Sequence, residues 1–358
     1  MKRYKGKNMA DRDLIRSAIL NAARNKKNRA EVQRVLADVE GHVDIIFDMI
    51  VNETFKPKPY RQFEVVDGIS GKHRLVSCPA FFPDQCLHWL VILATQEIFM
   101  KGMYEFVCGS IPGRGVHYGR KAVKKWMETD RRNTKYCAKL DITKFYPSVD
   151  HNAMKAALRR KIKDHKILWL FDQIIDSTEA GLPIGNYTSQ WLANFLLQDL
   201  DHAIKEEMHV AHYMRYMDDM VLFGANKKKL HAVVKEIAAR LAPLGLKLKS
   251  NWQVFRVDYI DRKGKRRGRD IDFMGFRFFR DKIIMRKKIA LRARRLAKRI
   301  AKSNVVSFHR AAAMISYCGW FKYTNSANFR KKYIDPNISI SNLKGVVRNE
   351  NRKHDQTA

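Results

Sequence analysis

Two adjacent carboxylates interrupt an otherwise apolar run in the second half of the chain. Tyr213-Met214-Arg215 leads into Tyr216-Met217-Asp218-Asp219, and Met220-Val221-Leu222-Phe223 follows. Removing a carboxylate from water is costly unless a cation accompanies it, so two acids at this place need a specific reason. The pattern predicts a strand, a tight turn with Asp218 and Asp219 at its tip, and a second strand.

A third carboxylate lies upstream in similar surroundings. Asp141 follows an apolar segment that predicts a strand over residues 136–142. Asp141 and Asp218 can therefore converge on one edge of a sheet. Convergent carboxylates on a strongly basic chain indicate bound Mg²⁺ and phosphoryl chemistry on nucleic acid. Without Asp141, the Asp218-Asp219 pair would fit an exposed turn equally well.

The charge of the chain favours a nucleic-acid partner. The 358 residues include 70 Lys and Arg against 36 Asp and Glu, a formal net charge of +34. This excess would strain a compact fold by self-repulsion unless a polyanion shares the surface. The five cysteines lack zinc-ligand spacing and are expected to be reduced. The longest apolar stretch is too short to cross a membrane and the first residues lack an apolar signal segment, so we expect a cytoplasmic protein without a membrane partner.

Apolar spacing and turn residues predict a mixture of helices and strands. We expect residues 1–30 to be ordered in part by a partner, and Val32 to begin one long amphipathic helix that reaches Ile50. The other predicted elements are hairpins at 60–78 and 212–224, strands at 136–142, 252–260 and 271–279, and helices at 89–100, 119–127, 149–161, 188–208, 227–242 and from Arg286 onward.

Six segments, in this order, resemble the reverse transcriptases of bacterial and phage retroelements, most closely those of diversity-generating retroelements. They are the Arg74 segment, 109–115 (GSIPGRG), 140–150 (LDITKFYPSVD), 181–190 (GLPIGNYTSQ), 216–219 (YMDD) and 273–276 (FMGF). Each segment alone is weak evidence, but all six at natural spacing are strong evidence. The resemblance runs from about residue 32 to about residue 280.

The resemblance implies an α+β fold of the right-hand polymerase type. Residues 1–135 would form an N-terminal extension and the fingers with part of the palm. Residues 136–285 would form the palm, with the YMDD hairpin and the primer grip, and residues 286–358 a basic helical thumb. No nuclease domain is expected.

The same resemblance implies a catalytic centre built on two metal ions. Asp141, Asp218 and Asp219 would be the catalytic and metal-binding residues, and the backbone carbonyl of Ile142 would supply a further oxygen. Two Mg²⁺ ions, with Mn²⁺ as a substitute, would activate the primer 3′-hydroxyl and hold the triphosphate. Asp219 would be secondary to the other two carboxylates.

The resemblance also implies a nucleotide site made of Lys72, Arg74, Phe145, Tyr146, Ile184, Gly185, Gln190 and Lys249. Arg74, assisted by Lys72, would clamp the triphosphate, or else the two belong to a solvated basic hairpin tip. Tyr146 would exclude a 2′-hydroxyl, or else it packs in the core. The lysine that protonates pyrophosphate would be Lys247 or Lys249.

Ile184 departs from the pattern of many reverse transcriptases, which have Gln before the second glycine of this loop. Together with Ser189-Gln190, this departure is the feature that resembles the diversity-generating enzymes. An apolar branched side chain in place of a hydrogen-bonding amide would relax the check on base-pair geometry. The alternative is that Ile184 only packs.

Primer and template contacts are implied for Met217, Gly275, Arg286, Lys287, Arg294, Arg295 and Lys298. Gly275 would let the backbone of the primer grip touch the primer, although a bulge glycine explains the sequence equally well. The density of cations after Arg286 favours phosphate contact over a merely solvated face.

We therefore expect an RNA-directed DNA polymerase that copies a dedicated template RNA into cDNA, with errors opposite adenine that mutate a variable gene. Its partners would be template RNA, the cDNA primer–template duplex, dNTPs and an oligomer of a small basic helical accessory protein. One alternative is another bacterial reverse transcriptase, of retron, group II intron or abortive-infection type. The other is an RNA-binding protein that keeps the fold without turnover.

Overall fold

The computed structural model describes residues 3–66, 71 and 73–356, with side chains up to residue 350. The predicted triphosphate ligand Lys72 lies outside these residues. The chain divides into two compact units of interleaved segments. The first unit is Met1–Gly115, Ala138–Leu222 and Lys228–Gln253, and the second is Val116–Cys137, Phe223–Lys227 and Val254–Ala358. The predicted division into fingers, palm and thumb at residues 135 and 285 stays a prediction.

The fold combines helices and strands throughout, as predicted. The helices are α1 (Arg12–Ala23), α2 (Ala30–Ala37), α3 (Val39–Val51), α4 (Cys86–Lys101), α5 (Val116–Thr129), α6 (Phe145–Ser148), α7 (His151–Lys161), α8 (His165–Ile175), α9 (Tyr187–Leu196), α10 (Gln198–His202), α11 (Lys227–Leu241), α12 (Lys287–Ala301), α13 (Phe308–Lys322), α14 (Ala327–Tyr333) and α15 (Ile340–Gln356).

The strands fall into several small sheets. They are β1 (Arg61–Val66), β2 (His73–Cys78), β3 (Tyr136–Asp141), β4 (His212–Tyr216), β5 (Asp219–Gly224), β6 (Gln253–Arg256), β7 (Tyr259–Ile260), β8 (Arg266–Arg267), β9 (Ile271–Phe273), β10 (Phe276–Phe278) and β11 (Ile283–Met285). The central sheet has the order β4-β5-β3-β6, and β1-β2, β7-β8 and β11-β10-β9 form separate antiparallel sheets.

The N-terminal segment is part of the core of the first unit, contrary to the expectation that a partner orders it. Asp11 caps α1 by accepting hydrogen bonds from the backbone N–H groups of Asp13 and Leu14. Ile15 and Ile19 are fully buried, and α1 packs against α4 and α3. The helix was missed because basic residues on both sides of it dominate the composition of this region.

Two predicted long helices are broken in the structure. Asp38 has φ −141° and ψ 74°, which ends α2, and its side chain accepts from the N–H of Gly41 to cap α3. The predicted helix over 188–208 is broken at Leu197 into α9, α10 and a π-helical turn. Helix α8 was not predicted at all. At Asp38 and at Leu197 the hydrophobic spacing continues through a change in backbone direction, so spacing alone does not reveal the two breaks.

The second unit contains a hairpin at the predicted primer grip and four helices after it. Met274 (φ 50°) and Gly275 (φ 83°) form a two-residue loop that joins β9 to β10. The predicted strand over 271–279 is therefore a hairpin. Apolar residues of α12, including Ile289, Ala293 and Ile300, share a core with α13 and α15. Helix α12 is the predicted basic helix, and its Lys and Arg residues lie on the side away from these buried apolar residues. Among the described residues, no helix is long and apolar enough to span a membrane.

Candidate active site

The carboxylates predicted to bind metal meet at the edge of the central sheet. Strand β4 ends at Tyr216 and β5 begins at Asp219, with Met217 in the left-handed region (φ 56°) at the turn between them. The N–H of Ile142, which directly follows β3, donates to the carbonyl oxygen of Asp218 at 3.2 Å. This bond brings Asp141 and Asp218 together although 77 positions separate them in the sequence.

Lys249 is the cation that faces this pair. Its Nζ lies 2.5 Å from Asp141 Oδ2, and its backbone N–H donates to the Asp141 carbonyl at 2.8 Å. The other carboxylate oxygen, Asp141 Oδ1, is buried and has no hydrogen-bond partner among the described residues. Burial raises the pKa of the Asp218 carboxyl, and the charge of Asp141 raises it further, while Lys249 lowers it. One lysine therefore does not neutralise both acids.

These residues fit the way in which Mg²⁺ is bound at phosphoryl-transfer sites. In the described part of the chain, no three His, Cys, Asp or Glu side chains form a ready-made metal cage. Mg²⁺ is generally held by one or two carboxylates together with water and substrate phosphates, so two are sufficient. An oxygen without a partner on Asp141, beside a carboxyl whose pKa is raised, is the environment that a divalent cation stabilises. Asp219 begins β5 next to this pair.

Tyr146 lies against the same centre. Burial raises its pKa, the charge of Asp218 raises it further, and the positive charges of Arg215 and Arg74 lower it. Lys144 has φ 42°, which turns the chain sharply between β3 and α6. Phe145 is buried, whereas Tyr146 is only half-buried. Of the two rings, Tyr146 is the better placed to meet a ligand, and a nucleotide contact by Phe145 stays a prediction.

The loop before α9 connects the Tyr146 segment to strand β2. The Leu182 N–H donates to the carbonyl of Tyr146 at 2.8 Å, and the Ser77 N–H donates to the carbonyl of Ile184 at 2.7 Å. Gly185 has φ 125°, and a β-carbon there would lie 2.2 Å from the Ser77 oxygen. Only glycine therefore allows this approach. The Ile184 side chain is half-buried and Gln190 is exposed.

The remaining predicted nucleotide contacts differ in how close they come to the carboxylates. Arg74 is exposed on β2, opposite Val65, and its charge reaches Tyr146. Lys247 is exposed and contributes its carbonyl to the Thr143 N–H at 2.8 Å. Of the two lysines proposed for proton donation, Lys249 is the one whose amine lies at the carboxylates.

A buried polar network beneath the YMDD turn was not predicted. Arg215 and Asp201 are both fully buried and are joined by two hydrogen bonds, from Nε at 2.8 Å and from Nη2 at 2.6 Å. Tyr213 donates to the same carboxylate at 2.7 Å. Arg215 Nη1 donates to Asn194 Oδ1 and to the carbonyl of Met217, which fixes the turn from below. A charged residue in an apolar strand was the available signal, because a buried guanidinium requires a carboxylate partner.

Close packing against Met217 explains why the loop over 109–115 begins with a glycine, Gly109. A β-carbon at this position would lie 2.6 Å from Sδ of Met217 and 2.8 Å from its backbone nitrogen. Asn194 Nδ2 donates to the Gly109 carbonyl at 2.8 Å, and Cys108 N–H donates to the Arg215 carbonyl at 2.8 Å. The loop thus supports the YMDD turn, and Met217, a predicted primer contact, is nine-tenths buried beneath it.

The other predicted primer and template residues lie in the second unit. A β-carbon on Gly275 would lie 2.7 Å from the Trp320 ring, so the turn and this packing both require glycine. Arg286 pairs with Asp272 through Nε at 2.7 Å. Lys287, Arg295 and Lys298 are exposed on α12, whereas Arg294 lies over the ring of Tyr333 at 4.2 Å. Contact of these residues with nucleic acid stays a prediction.

Comparison with known proteins identifies the family. The family model described as reverse transcriptase (RNA-dependent DNA polymerase) matches residues 56–278. Protein YkfC of Escherichia coli K12 is 21% identical over 262 residues, which cover 61% of this chain and 68% of that protein. Retron Ec73 reverse transcriptase of Escherichia coli is 28% identical over 137 residues, 34% of this chain and 43% of that enzyme. The chain thus spans less than half of the retron enzyme.

Among solved structures, apo telomerase from Candida tropicalis aligns with a TM-score of 0.48 at 11% identity, over 86% of this chain and 69% of that chain. Telomerase from Candida albicans in complex with a fragment of telomeric RNA aligns with a TM-score of 0.47 at 9% identity, over 79% and 57%. The family match spans most of the first unit's sheet and helices, whose α+β fold is the right-hand polymerase fold that the sequence predicted. The chain belongs to the reverse transcriptase family of RNA-dependent DNA polymerases.

Proposed function

We propose that this chain makes cDNA on a dedicated template RNA by nucleotidyl transfer at Asp141 and Asp218. The observation that carries the proposal is the meeting of these carboxylates at one sheet edge, with Lys249 on Asp141 Oδ2. Mg²⁺ bound there would supply the positive charge that activates the primer 3′-hydroxyl and stabilises the leaving pyrophosphate. Asp141, Asp218 and the Ile142 carbonyl are the oxygens that would hold it, with Asp219 in support.

The side chains around this centre would orient the nucleotide. Tyr146 is half-buried beside Asp218, so its ring can lie under the sugar and exclude a 2′-hydroxyl. Arg74 is exposed on β2 and would bind phosphate oxygens in a bidentate manner. The Lys249 amine would hold a proton within reach of the leaving group, because it lies at the carboxylate that would position the phosphates.

We further propose the diversity-generating type, with errors opposite template adenine. Support comes from the Ile184 side chain. The Ile184 backbone is fixed by the hydrogen bond from Ser77 to its carbonyl. An apolar side chain therefore stands at a fixed place next to Gly185, where many reverse transcriptases have the amide of Gln. A site that cannot hydrogen-bond the nascent pair discriminates less between correct and incorrect pairs.

Substitution of Ile184 tests this part of the proposal. Ile184→Gln restores a hydrogen-bonding group and is expected to lower misincorporation opposite adenine about tenfold. Ile184→Leu keeps the site apolar and is the matched control, with an unchanged error rate. Sequencing of cDNA made on one defined RNA, with errors sorted by template base, gives both values. Equal error spectra for Ile184→Gln and the wild type would reject the fidelity role and, with it, the diversity-generating assignment.

A retron-type reverse transcriptase is the second candidate. It is supported by the 28% identity over 137 residues to Retron Ec73 reverse transcriptase, a relative whose name gives the retron type. The two candidates share the catalytic centre and differ in fidelity. An error rate that is low opposite every template base would favour the retron type and leave the polymerase proposal intact.

The proposed partners are template RNA, the cDNA primer–template duplex, dNTPs and an oligomer of a small basic accessory protein, in the bacterial cytoplasm. The exposed cations Lys287, Arg295 and Lys298 on α12 support contact with a phosphate backbone. Phosphate contacts do not read sequence. Selection of one template would therefore come from the accessory protein and from structure in the RNA.

A further inference from the structure

A cavity of about 410 Å³ lies in the first unit beside the 185–190 segment, between α1, α4 and α9. We call it the α4–α9 cavity. Its lining includes Lys26 and two exposed arginines, Arg24 and Arg29, from the α1–α2 connection, and His88 and Trp89 from α4. Its volume lies in the range of small-molecule sites, roughly 300–1,000 Å³.

Two buried side chains in this lining each have one polar atom that is not hydrogen-bonded within the described part of the chain. His88 and Asn186 are each only 2% exposed. His88 Nδ1 and Asn186 Oδ1 are buried, and neither has a hydrogen-bond partner among the described residues. A buried polar atom without a hydrogen-bond partner destabilises the fold. Two such atoms in the lining of one cavity indicate a ligand that completes them.

The orientation of the Asn186 amide follows from a chain of hydrogen bonds. Ser177 Oγ donates to the Ile174 carbonyl at 2.6 Å, so Tyr60 must donate to Ser177 Oγ at 2.7 Å. The Tyr60 oxygen then accepts from Asn186 Nδ2 at 2.7 Å. Asn186 therefore offers its Oδ1 as an acceptor. Every nucleobase has an N–H donor on its base-pairing edge, which is the group that such an acceptor binds.

Histidine 88 is suited to the same ligand. Burial lowers its pKa to about 3, so the imidazole is neutral near pH 7. A neutral imidazole has one donor and one acceptor nitrogen. Such a ring can bind the edge of a base, whereas a charged imidazolium would bind anions instead.

The remaining lining residues match a base and its phosphates. Trp89 and Tyr187 stack with ring centroids 3.9 Å apart, and they give the cavity an aromatic wall of the kind on which bases stack. The cavity lining also contains three cations from one short connection: Arg24, Lys26 and Arg29. Closely spaced cations suit the closely spaced phosphates of a nucleic-acid strand. The lining also shares Gly185 and Gln190 with the proposed nucleotide loop, so the cavity adjoins that loop.

We propose that the α4–α9 cavity holds one unpaired nucleotide of the RNA strand, with its base against His88 and Asn186 and its phosphates on the cations of the α1–α2 connection. This rests on the proposed function only in taking the strand to be the RNA that the enzyme copies. A free nucleotide has the same chemistry, and the experiment separates the two sources.

The test is equilibrium binding of short single-stranded RNA to the full chain, without dNTPs or divalent ions, so that no turnover is involved. A single abasic residue is moved along the RNA. We expect one position at which it weakens binding by the wild type about tenfold, the effect of one lost base contact. At that position Asn186→Leu should bind intact and abasic RNA equally. Tyr60→Phe removes the hydroxyl that accepts from Asn186 Nδ2 but keeps Asn186 Oδ1. This variant should therefore keep the sensitivity to the abasic residue.

Exposed cations give a second set of variants that does not depend on a buried substitution. Arg24→Gln should reduce the slope of log Kd against log salt by about 1. Lys27→Gln removes a charge from the same connection at an exposed residue outside the lining, and should change the slope less. Far-UV circular dichroism confirms that each variant is folded.

Two results would overturn the proposal. One is that no position of the abasic residue weakens RNA binding by the wild type more than binding by Asn186→Leu. The other is displacement of the RNA by free ribonucleotides with no such position, which would assign the cavity to a free nucleotide. Polymerisation by the wild type alongside either result would leave the proposed function standing. Conversely, a chain that binds as expected and does not polymerise would leave the cavity assignment standing.

Discussion

At the scale of single residues, the candidate active site contains charges that are half-buried and only partly balanced. The carboxylates of Asp141 and Asp218 share one lysine, whereas the carboxylate of Asp201 beneath them is fully satisfied by Arg215 and Tyr213. The first arrangement leaves negative charge that a further cation can balance. The second fixes the turn that carries Asp218, since the guanidinium of Arg215 also binds the Met217 carbonyl.

Replacement of Asp201 should therefore unfold the centre rather than only weaken it. In Asp201→Asn, the amide NH₂ would face donors of Arg215, and a buried guanidinium would lose its counter-charge. We expect a loss of about 3–5 kcal/mol in the free energy of unfolding. Urea titration followed by circular dichroism measures it. Glu207→Gln, which breaks the exposed pair with Arg240, is the control and should cost at most about 1 kcal/mol. Equal small losses in both variants would show that the buried pair does not hold the turn.

The meeting of Asp141 and Asp218 could be predicted because each lies in a local pattern, and their catalytic role stays a prediction. Asp141 ends β3, Asp218 lies between β4 and β5, and each of these strands is a mainly apolar run in the sequence. Asp201 and Asn194 could not be predicted, because both lie on helices and only the fold brings them to Arg215. The same holds for Ser77, whose bond to Ile184 joins segments more than 100 positions apart.

At the scale of elements, glycines mark where two segments approach closely. Gly185 meets β2, Gly109 meets the YMDD turn, and Gly275 meets Trp320. Periodicity predicted α11 and α12 well, because their apolar stripes are uninterrupted. Helix α4 is buried over most of its surface and was predicted from its continuous apolar run. It failed at Asp38 and Leu197, where a capping side chain or a change in ψ ends a helix within a continuing apolar pattern.

The hairpin at Gly275 allows conformational strain to be separated from packing. Gly275→Ala adds a β-carbon against Trp320 at a φ of +83°, and should destabilise the second unit by about 2–4 kcal/mol. Gly264→Ala is the control, since Gly264 has φ +72° with no heavy atom near the new β-carbon, and should cost about 1 kcal/mol. Urea unfolding monitored by tryptophan fluorescence compares them. An equal cost in the two variants would mean that Trp320 does not pack on this turn.

At the scale of the whole molecule, the net charge of +34 favours contact with phosphates, and such contact depends on salt and does not read sequence. The accessory protein proposed above would supply selection. Four reactions test it: the chain alone and with that protein, each on native and on scrambled RNA. We expect efficient synthesis from one start site only when the partner and the native RNA are both present. The same yield and start sites in all four would show that the polymerase selects its template unaided.

The central claim is that Asp141 and Asp218 form the catalytic centre of an RNA-directed DNA polymerase. The most direct test is primer extension on a defined RNA with dNTPs and Mg²⁺, comparing the wild type, Asp218→Asn and Asp44→Asn. Asp44 is an exposed carboxylate on α3, paired with Arg12, and serves as the charge-matched control. We expect Asp218→Asn to lose at least about a thousandfold in extension rate while RNA binding and folding are retained, because an amide cannot supply the charge that the metal ions need. Asp44→Asn should extend like the wild type. Extension by Asp218→Asn at a rate near that of the wild type would contradict the account.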